Sequence, residues 1–177
     1  MIKLAAKRIA VVQGAPSTAI QEMFCGLIQE WQPAVGIAGV IAESLERRDR
    51  KCTAGYLRNI VSGTRYPIFQ DDSSGADSCD IYAEGATAAS DAIKKDIAAG
   101  CDLVVLSKFG KLEAAGQGLA DAFLSAIAAE KPILTSVPPV FEAAWVAFAS
   151  PLYIKLSIDR KQVEKWWQSL GARKTDA

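Results

Sequence analysis

Short apolar runs that alternate with helix-like segments constrain the fold of this chain more than any other feature of its sequence. The runs that are typical of buried parallel strands are residues 8–12, 102–106 and 132–137. Helices are predicted from apolar spacing or alanine-rich composition over residues 19–31, 84–99 and 119–130. The alternation predicts an α/β fold with three layers, in which helices flank a mainly parallel sheet on both faces.

A polar segment, residues 43–80, interrupts this alternation. It contains two short β-like pieces, 56–61 and 66–70, and the turn signal Ser62-Gly63 lies between them. We therefore predict a β-hairpin-like insertion here. The other predicted elements are strand 34–42, helix 141–149, strand 152–156 and a last helix that Asp159 caps and that runs through Trp166-Trp167.

The composition narrows the function classes. The 177 residues include no histidine, which excludes Ser-His-Asp and Cys-His nucleophile systems and histidine-ligated zinc. Half of the residues are hydrophobic, which suits a single domain over 1–177. Lys+Arg and Asp+Glu both total 20, a balance that predicts neither nucleic-acid nor membrane-surface binding. The first apolar run meets Gly14 and Pro16 rather than a cleavage site, so we interpret it as a strand and expect a cytoplasmic protein without membrane insertion.

The loop after the first strand lies where α/β proteins commonly bind ligands, at the carboxyl ends of the strands. A glycine, small residues and then a helix direct backbone N–H groups at an anion. Counted from the first glycine in the P-loop pattern G-x-x-x-x-G-K-[ST], Ile20 takes the lysine position and Gln21 the Ser/Thr position. The pattern is therefore degenerate, and an ordinary strand–helix turn capped by Ser17-Thr18 is the alternative. The residues expected to contact an anion in this loop are Gly14, Ala15, Ser17 and Thr18.

The loop after the strand at 102–106 carries the second candidate site. In a P-loop nucleoside triphosphatase (NTPase) the acid that supports Mg²⁺ follows such a strand. Here Ser107 and Lys108 stand at that place, with Lys111 close behind and Glu113 at the entry of a helix. Lysines disfavour a divalent cation and favour an anion directly. The alternative is that both lysines are ordinary solvated surface residues.

Three stretches of the sequence resemble a bacterial family of unknown function that is NTPase-like and associated with molybdate-transport genes. The segment from Ser107 to Gly118 is similar to that family's N/S-K/R-F-G-K-x-E-x-x-G-x-G pattern, and Gly14 to Thr18 to its glycine-rich first loop without the P-loop lysine. The middle of the chain matches it at Ser62, Gly63, Arg65, Gln70, Asp71 and Cys79. The chain is more distantly similar to P-loop nucleoside triphosphatases of a thermophile type. The resemblance implies a P-loop-NTPase-like fold with degenerate motifs.

Our main prediction is a non-hydrolysing, P-loop-like binding protein whose ligand is a compact oxyanion or an anionic nucleotide. The oxyanions considered are molybdate, tungstate, sulfate and phosphate. The contacts are assigned to the first loop together with Ser107, Lys108 and Lys111. A role in molybdenum homeostasis is implied by the resemblance alone.

Two other functions stay open on the sequence. In a slow nucleoside triphosphatase, Lys108 or Lys111 would replace the missing P-loop lysine and Glu113 would position water. In a metal- or redox-responsive interaction protein, the weak ligand candidates are Cys52, Cys79, Asp71 and Asp72, whose spacing matches no defined metal motif. A homodimer or another protein partner is expected if Trp166-Trp167 is partly exposed.

Overall fold

A computed structural model describes residues 7–45, 54–70, 80–81 and 83–171 of the chain. Its strands are β1 (Ile9–Gln13), β2 (Ile37–Leu45), β3 (Ala54–Asn59), β4 (Arg65–Pro67), β5 (Phe69–Gln70), β6 (Asp80–Ile81), β7 (Leu103–Leu106), β8 (Ile133–Ser136) and β9 (Tyr153–Ser157). Its helices are α1 (Ser17–Trp31), α2 (Ala83–Ala99), α3 (Lys111–Ala114), α4 (Ala120–Ala128), α5 (Glu142–Ala149) and α6 (Arg160–Gly171). A 3₁₀ turn, Pro139–Phe141, precedes α5.

Seven strands form one sheet in the order β4-β3-β2-β7-β8-β1-β9. The five strands from β2 to β9 in that order run parallel, with β1 between β8 and β9. Ile9 pairs with Ile133 on one side of β1 and with Tyr153 on the other. The predicted α/β fold with a mainly parallel sheet is therefore confirmed, and the arrangement is consistent with a P-loop-NTPase-like architecture.

Helices cover both faces of the sheet, which confirms the three predicted layers. Side chains alternate along each strand, so Ala10 and Val12 pack beneath α1 and α6, while Ile9 and Val11 face α2, α4 and α5. Each of these four residues is at most 2% exposed. Both faces of β1 are thus buried, and this explains why the strand reads as a continuous apolar run rather than an alternating one.

The predicted hairpin-like insertion is not separate from the main sheet. Strand β3 pairs antiparallel with β2 from Val40↔Asn59 to Leu45↔Ala54, and β4 pairs antiparallel with β3. Strands β5 and β6 form a second, two-stranded sheet. The hairpin of β3 and β4 thereby extends the parallel sheet at its β2 edge. Pairing of this kind depends on distant partners, and local periodicity does not reveal it.

The helices correct one local prediction and bear on a second. Helix α1 begins at Ser17 with Pro16 as its N-cap, so Ser17 and Thr18 are its first residues rather than its caps. Trp166 is buried and its Nε1 donates a hydrogen bond to the Lys7 carbonyl at 2.8 Å. Trp167 is half-buried and stacks on Trp31 with 5.6 Å between ring centroids. Trp166 therefore belongs to the core beside α1, Trp167 stays partly exposed, and the homodimer remains a prediction.

Within the described part of the chain, no helix has both the length and the apolar character that crossing a membrane requires.

Candidate functional site

A cavity of about 1170 Å³ opens at the carboxyl edge of the sheet. We call it the edge cavity. It is enclosed by the first turns of α1 and α2, the end of β2, strand β3 and the segment that connects β7 to α4. In α/β sheets this edge is where ligands bind. Both loops in which the sequence predicts anion contacts contribute residues to it, the first through Ser17 and Thr18 and the second through residues between Ser107 and Glu113.

The edge cavity brings together most of the predicted site residues. Its lining includes Ser17, Thr18, Ser107, Lys108, Lys111 and Glu113. Gly14 and Ala15 are not part of that lining: Gly14 adopts a left-handed φ of 87° in the turn, and Ala15 packs against the core beside α1. The turn from Gly14 to Pro16 thus connects β1 to α1 without lining the cavity. The first turn of α1 lines the cavity instead.

The residues at the two decisive P-loop positions face the protein interior. Ile20 is 4% exposed and belongs to the core beside α1. Gln21 is buried, its Nε2 donates to the Ser107 carbonyl at 2.9 Å, and its Oε1 accepts from the Ala42 N–H at 3.2 Å. A magnesium-binding hydroxyl is thus replaced by an amide that joins the ends of β2 and β7. Gln21 is therefore a structural link between these two strands.

The end of β7 is held by a small buried hydrogen-bond network. The Ser107 carbonyl accepts a second bond, from Ser136 Oγ at 2.8 Å, and the Phe109 N–H donates to the Ser136 carbonyl at 2.8 Å. Ser107 itself is 3% exposed. Because buried polar groups that are fully paired confer rigidity, the segment after β7 leaves the sheet in one defined direction.

Glu113 closes the segment after β7 on itself. It is buried, its Oε2 accepts from the Gly110 N–H at 2.9 Å, and its Oε1 accepts from the Leu119 N–H at 3.0 Å. Gly118 lies so close that an added Cβ would be 2.6 Å from Glu113 Oε1. The glycines and the glutamate of this motif thus form one compact unit. The catalytic candidate has both carboxylate oxygens bonded to backbone amides.

Phe109 anchors the same segment from below. Its ring is 1% exposed and contacts the rings of Trp145, Phe148 and Phe123 at centroid distances of 5.1, 5.2 and 5.7 Å. Burying such a side chain contributes roughly 1.5–3 kcal/mol. Lys108 therefore lies between an anchored phenylalanine and the paired end of β7.

The two lysines differ in exposure but share an electrostatic setting. Lys108 is half-buried and Lys111 is exposed. Among the described residues, no carboxylate forms an ion pair with either ammonium group. By contrast, two of the acids in the cavity are held by protein donors, Glu43 by arginines and Glu113 by amides. The lysines thus retain their capacity to bind an anion.

The sequence did not predict a charged cluster that forms between β2 and the hairpin of β3 and β4. Glu43 Oε1 lies 2.5 Å from Arg58 Nε, and Glu43 Oε2 lies 3.1 Å from Arg65 Nε. Glu43, Arg65 and the neighbouring Tyr56 line the edge cavity. Arg65 belongs to a motif of the resemblance, but its partner follows only from the antiparallel register, which pairs Glu43 with Tyr56 and Arg58 with Arg65.

In the described residues, the structure shows no candidate site for metal binding or for cysteine chemistry. There, no group of three or more His, Cys, Asp or Glu is placed to hold a metal ion. The candidates Cys52, Cys79, Asp71 and Asp72 lie outside the described residues. Cys25 and Cys101 are half-buried. Burial raises the pKa of the Cys101 thiol.

The fold is that of an α/β protein with a mostly parallel sheet, consistent with a P-loop-NTPase-like architecture, and the edge cavity opens at its carboxyl edge. The chain belongs to the family described as protein of unknown function DUF2478, whose profile matches residues 9–166. The predicted resemblance to a family of unknown function is thereby confirmed.

The chain is also similar to a curated protein whose name refers to molybdenum import. Over 167 residues the chain is 32% identical to the molybdenum import ATP-binding protein ModC 2 of Bradyrhizobium diazoefficiens. The match covers 94% of this chain but 19% of that relative, so the chain spans about a fifth of the relative's length. No solved structure matches the chain.

Proposed function

We propose that this chain is a non-hydrolysing binding protein for a small anionic ligand, a compact oxyanion or an anionic nucleotide. One observation carries the proposal: Lys108 and Lys111, without a described carboxylate partner, line the same cavity as the first turn of α1. The N–H groups of a helix's first turn have no intrahelical acceptor and favour negative charge. Two ammonium groups beside such a terminus suit phosphate, sulfate, molybdate or tungstate.

The absence of hydrolysis is supported by what stands at the P-loop positions. Phosphoryl transfer needs a cation on the β- and γ-phosphates and an acid or hydroxyl on Mg²⁺. Ile20 is buried among apolar side chains, and Gln21 is engaged in two internal hydrogen bonds. Ser107 follows β7 where a metal-supporting acid would stand. Binding without turnover is therefore the function that we favour.

A role in molybdenum homeostasis in the cytoplasm completes the proposal. Its support is the name of the relative from Bradyrhizobium diazoefficiens, which combines molybdenum import with ATP binding. We propose that the chain senses or delivers the anion.

Calorimetric titration of the purified chain with molybdate, phosphate and ATP tests the proposal. We expect the double variant Lys108→Ala/Lys111→Ala to weaken binding by at least about tenfold, because charge-assisted contacts of roughly 1.5–3 kcal/mol are removed. The matched control is Lys94→Ala/Lys95→Ala, which removes two exposed lysines of α2 outside the cavity. Absence of heat with all three ligands, or equal losses in both double variants, would contradict the proposal.

A slow nucleoside triphosphatase is the second candidate, because the relative's name includes ATP binding. Release of phosphate from ATP by the purified chain, abolished by Lys108→Ala and retained in Lys94→Ala, would establish it in place of the first.

A further inference from the structure

We infer that the edge cavity binds a phosphorylated organic molecule with a heteroaromatic ring rather than a bare oxyanion, and that the hairpin recognises the ring. The inference rests on the proposed function and narrows it to one ligand class. A tetrahedral oxyanion displaces about four waters, roughly 120 Å³. The cavity of about 1170 Å³ is close to ten times larger and lies just above the range of roughly 300–1,000 Å³ that is typical of pockets for organic ligands.

A distinct part of the cavity is suited to the organic portion of such a ligand. Paired residues of antiparallel strands share a face, and alternate residues of one strand do so as well. Ile41 and Glu43 on β2 therefore share the α1 face of the sheet with Tyr56 on β3, and Arg65 lies on that face through its pairing with Arg58. We call this region the hairpin lobe, formed by Cys25, Ile41, Glu43, Tyr56 and Arg65.

The hairpin lobe combines an aromatic surface with hydrogen-bonding groups of both kinds. Tyr56 is half-buried and presents a ring on which a flat heterocycle can stack. Arg65, whose side chain is 64% exposed, retains donors beyond the Nε that it directs at Glu43. Glu43, 33% exposed, has further acceptor capacity on its two oxygens. A heterocycle with donors and acceptors on its edge matches this set, whereas a bare oxyanion uses neither Tyr56 nor Glu43.

Arg58 holds the lobe in a defined geometry. Its Nε lies 2.5 Å from Glu43, and its Nη2 lies 4.0 Å from the Cys25 sulfur on α1. Glu43 is thereby fixed from one side, and Arg65 approaches its other oxygen. Because preorganised groups lose less conformational entropy on binding, the cluster is suited to selecting a ligand.

The two ends of the cavity assign an orientation to the ligand. Lys108, Lys111 and the first turn of α1 receive the phosphate, and the ring extends along β2 and β3 into the hairpin lobe. The turn at residues 14–16, which in a P-loop protein would surround the phosphates, does not line this cavity. The ligand therefore lies on the hairpin side of α1.

Calorimetric titrations with inorganic phosphate, molybdate, ribose 5-phosphate and guanosine and adenosine monophosphates test the inference. We expect a nucleoside monophosphate to bind at least about tenfold more tightly than ribose 5-phosphate or either inorganic ion. Arg65→Ala should weaken nucleoside monophosphate binding at least about fivefold and change phosphate binding less than about twofold, since exposed charges are screened at physiological salt. Lys108→Ala should weaken both.

Two further variants separate recognition from folding. Tyr56→Leu removes the stacking surface but keeps an apolar side chain, and it should reproduce the selective loss seen with Arg65→Ala. Arg8→Ala removes an arginine that pairs with Glu130 outside the cavity, and it should leave every affinity unchanged. The melting temperature of each variant reports whether the fold is retained.

Each contrary outcome has a distinct meaning. If phosphate or molybdate binds as tightly as the nucleoside monophosphates and Arg65→Ala affects neither, the inference is overturned and the proposed function stands. If none of the probes binds with a Kd below about 1 mM, the proposed function fails and the inference fails with it.

Discussion

Glu113 lines the edge cavity, but its carboxylate is already used by the protein. Both oxygens accept backbone N–H groups, from Gly110 and Leu119. Glu113→Gln replaces one acceptor with an amide donor and leaves a buried N–H unpaired. We expect the free energy of unfolding to fall by about 1–3 kcal/mol, measured by urea denaturation.

The exposed Glu130 provides the control for this substitution. Its side chain is 80% exposed and its ion pair with Arg8 is long, at 4.0 Å. Glu130→Gln should change stability by less than about 0.5 kcal/mol. Unchanged stability in Glu113→Gln together with lost ATP hydrolysis would instead assign Glu113 the catalytic role that the sequence left open.

Two glycines of the same segment form a matched pair for a second prediction. Gly116 and Gly118 both have left-handed φ values, 76° and 60°. A Cβ at Gly116 has no neighbour within 4 Å, whereas one at Gly118 meets Glu113 Oε1 at 2.6 Å and Leu112 Cβ at 2.8 Å. Gly116→Ala should lower the free energy of unfolding by the cost of the left-handed backbone conformation alone, about 1–2 kcal/mol. Gly118→Ala should lower the free energy of unfolding by more in the same denaturation experiment. Equal losses in the two variants would show that the structure relieves the contact between the new Cβ and its neighbours.

At the scale of elements, the turn between β3 and β4 depends on one buried side chain. Asn59 is 1% exposed; its Oδ1 accepts from the Val61 and Ser62 N–H groups, and its Nδ2 donates to Asp96 on α2 at 2.9 Å. Asn59→Ala removes all three bonds and should lower the free energy of unfolding by about 2–3 kcal/mol. Because β4 begins with Arg65, nucleoside monophosphate binding should weaken as well.

Asp96→Ala separates the two tasks of Asn59. It removes the bond to α2 and leaves both turn bonds in place, so its loss of stability should be smaller and the ligand affinity should persist. Equal effects of Asn59→Ala and Asp96→Ala on binding would show that the helix, rather than the turn, positions the hairpin.

The elements also show which parts of the fold could be predicted from the sequence. Strands β1, β7 and β8 were predicted because burial on both faces leaves a continuous apolar run. The union of the hairpin with the main sheet was not, because strand register depends on residues distant in sequence. The candidate site was likewise predictable only in part. Lys108 and Lys111 follow a recognisable strand, whereas the link between Glu43 and Arg65 exists only through antiparallel pairing.

At the scale of the whole molecule, the edge cavity joins parts of the chain that are remote in sequence. Ligand binding should therefore be visible in hydrogen exchange at more than one place. With guanosine monophosphate we expect slower exchange both in the segment 107–119 and in strands β3 and β4, measured by mass spectrometry. Inorganic phosphate should slow exchange in the segment 107–119 alone. Protection of both regions by phosphate would contradict the assignment of the hairpin to the ring.

The buried position of Ile20 limits how this scaffold can be re-engineered. A lysine introduced there to mimic an NTPase would place its ammonium in the apolar layer between α1 and the sheet, where Ile20 is 4% exposed. An unpaired charge in such a place costs several kcal/mol. Only three residues connect β1 to α1, so a longer connection is needed before a cation at the start of the helix can turn outward. Building a P-loop lysine into this scaffold therefore begins with an insertion after β1, and point substitutions follow it.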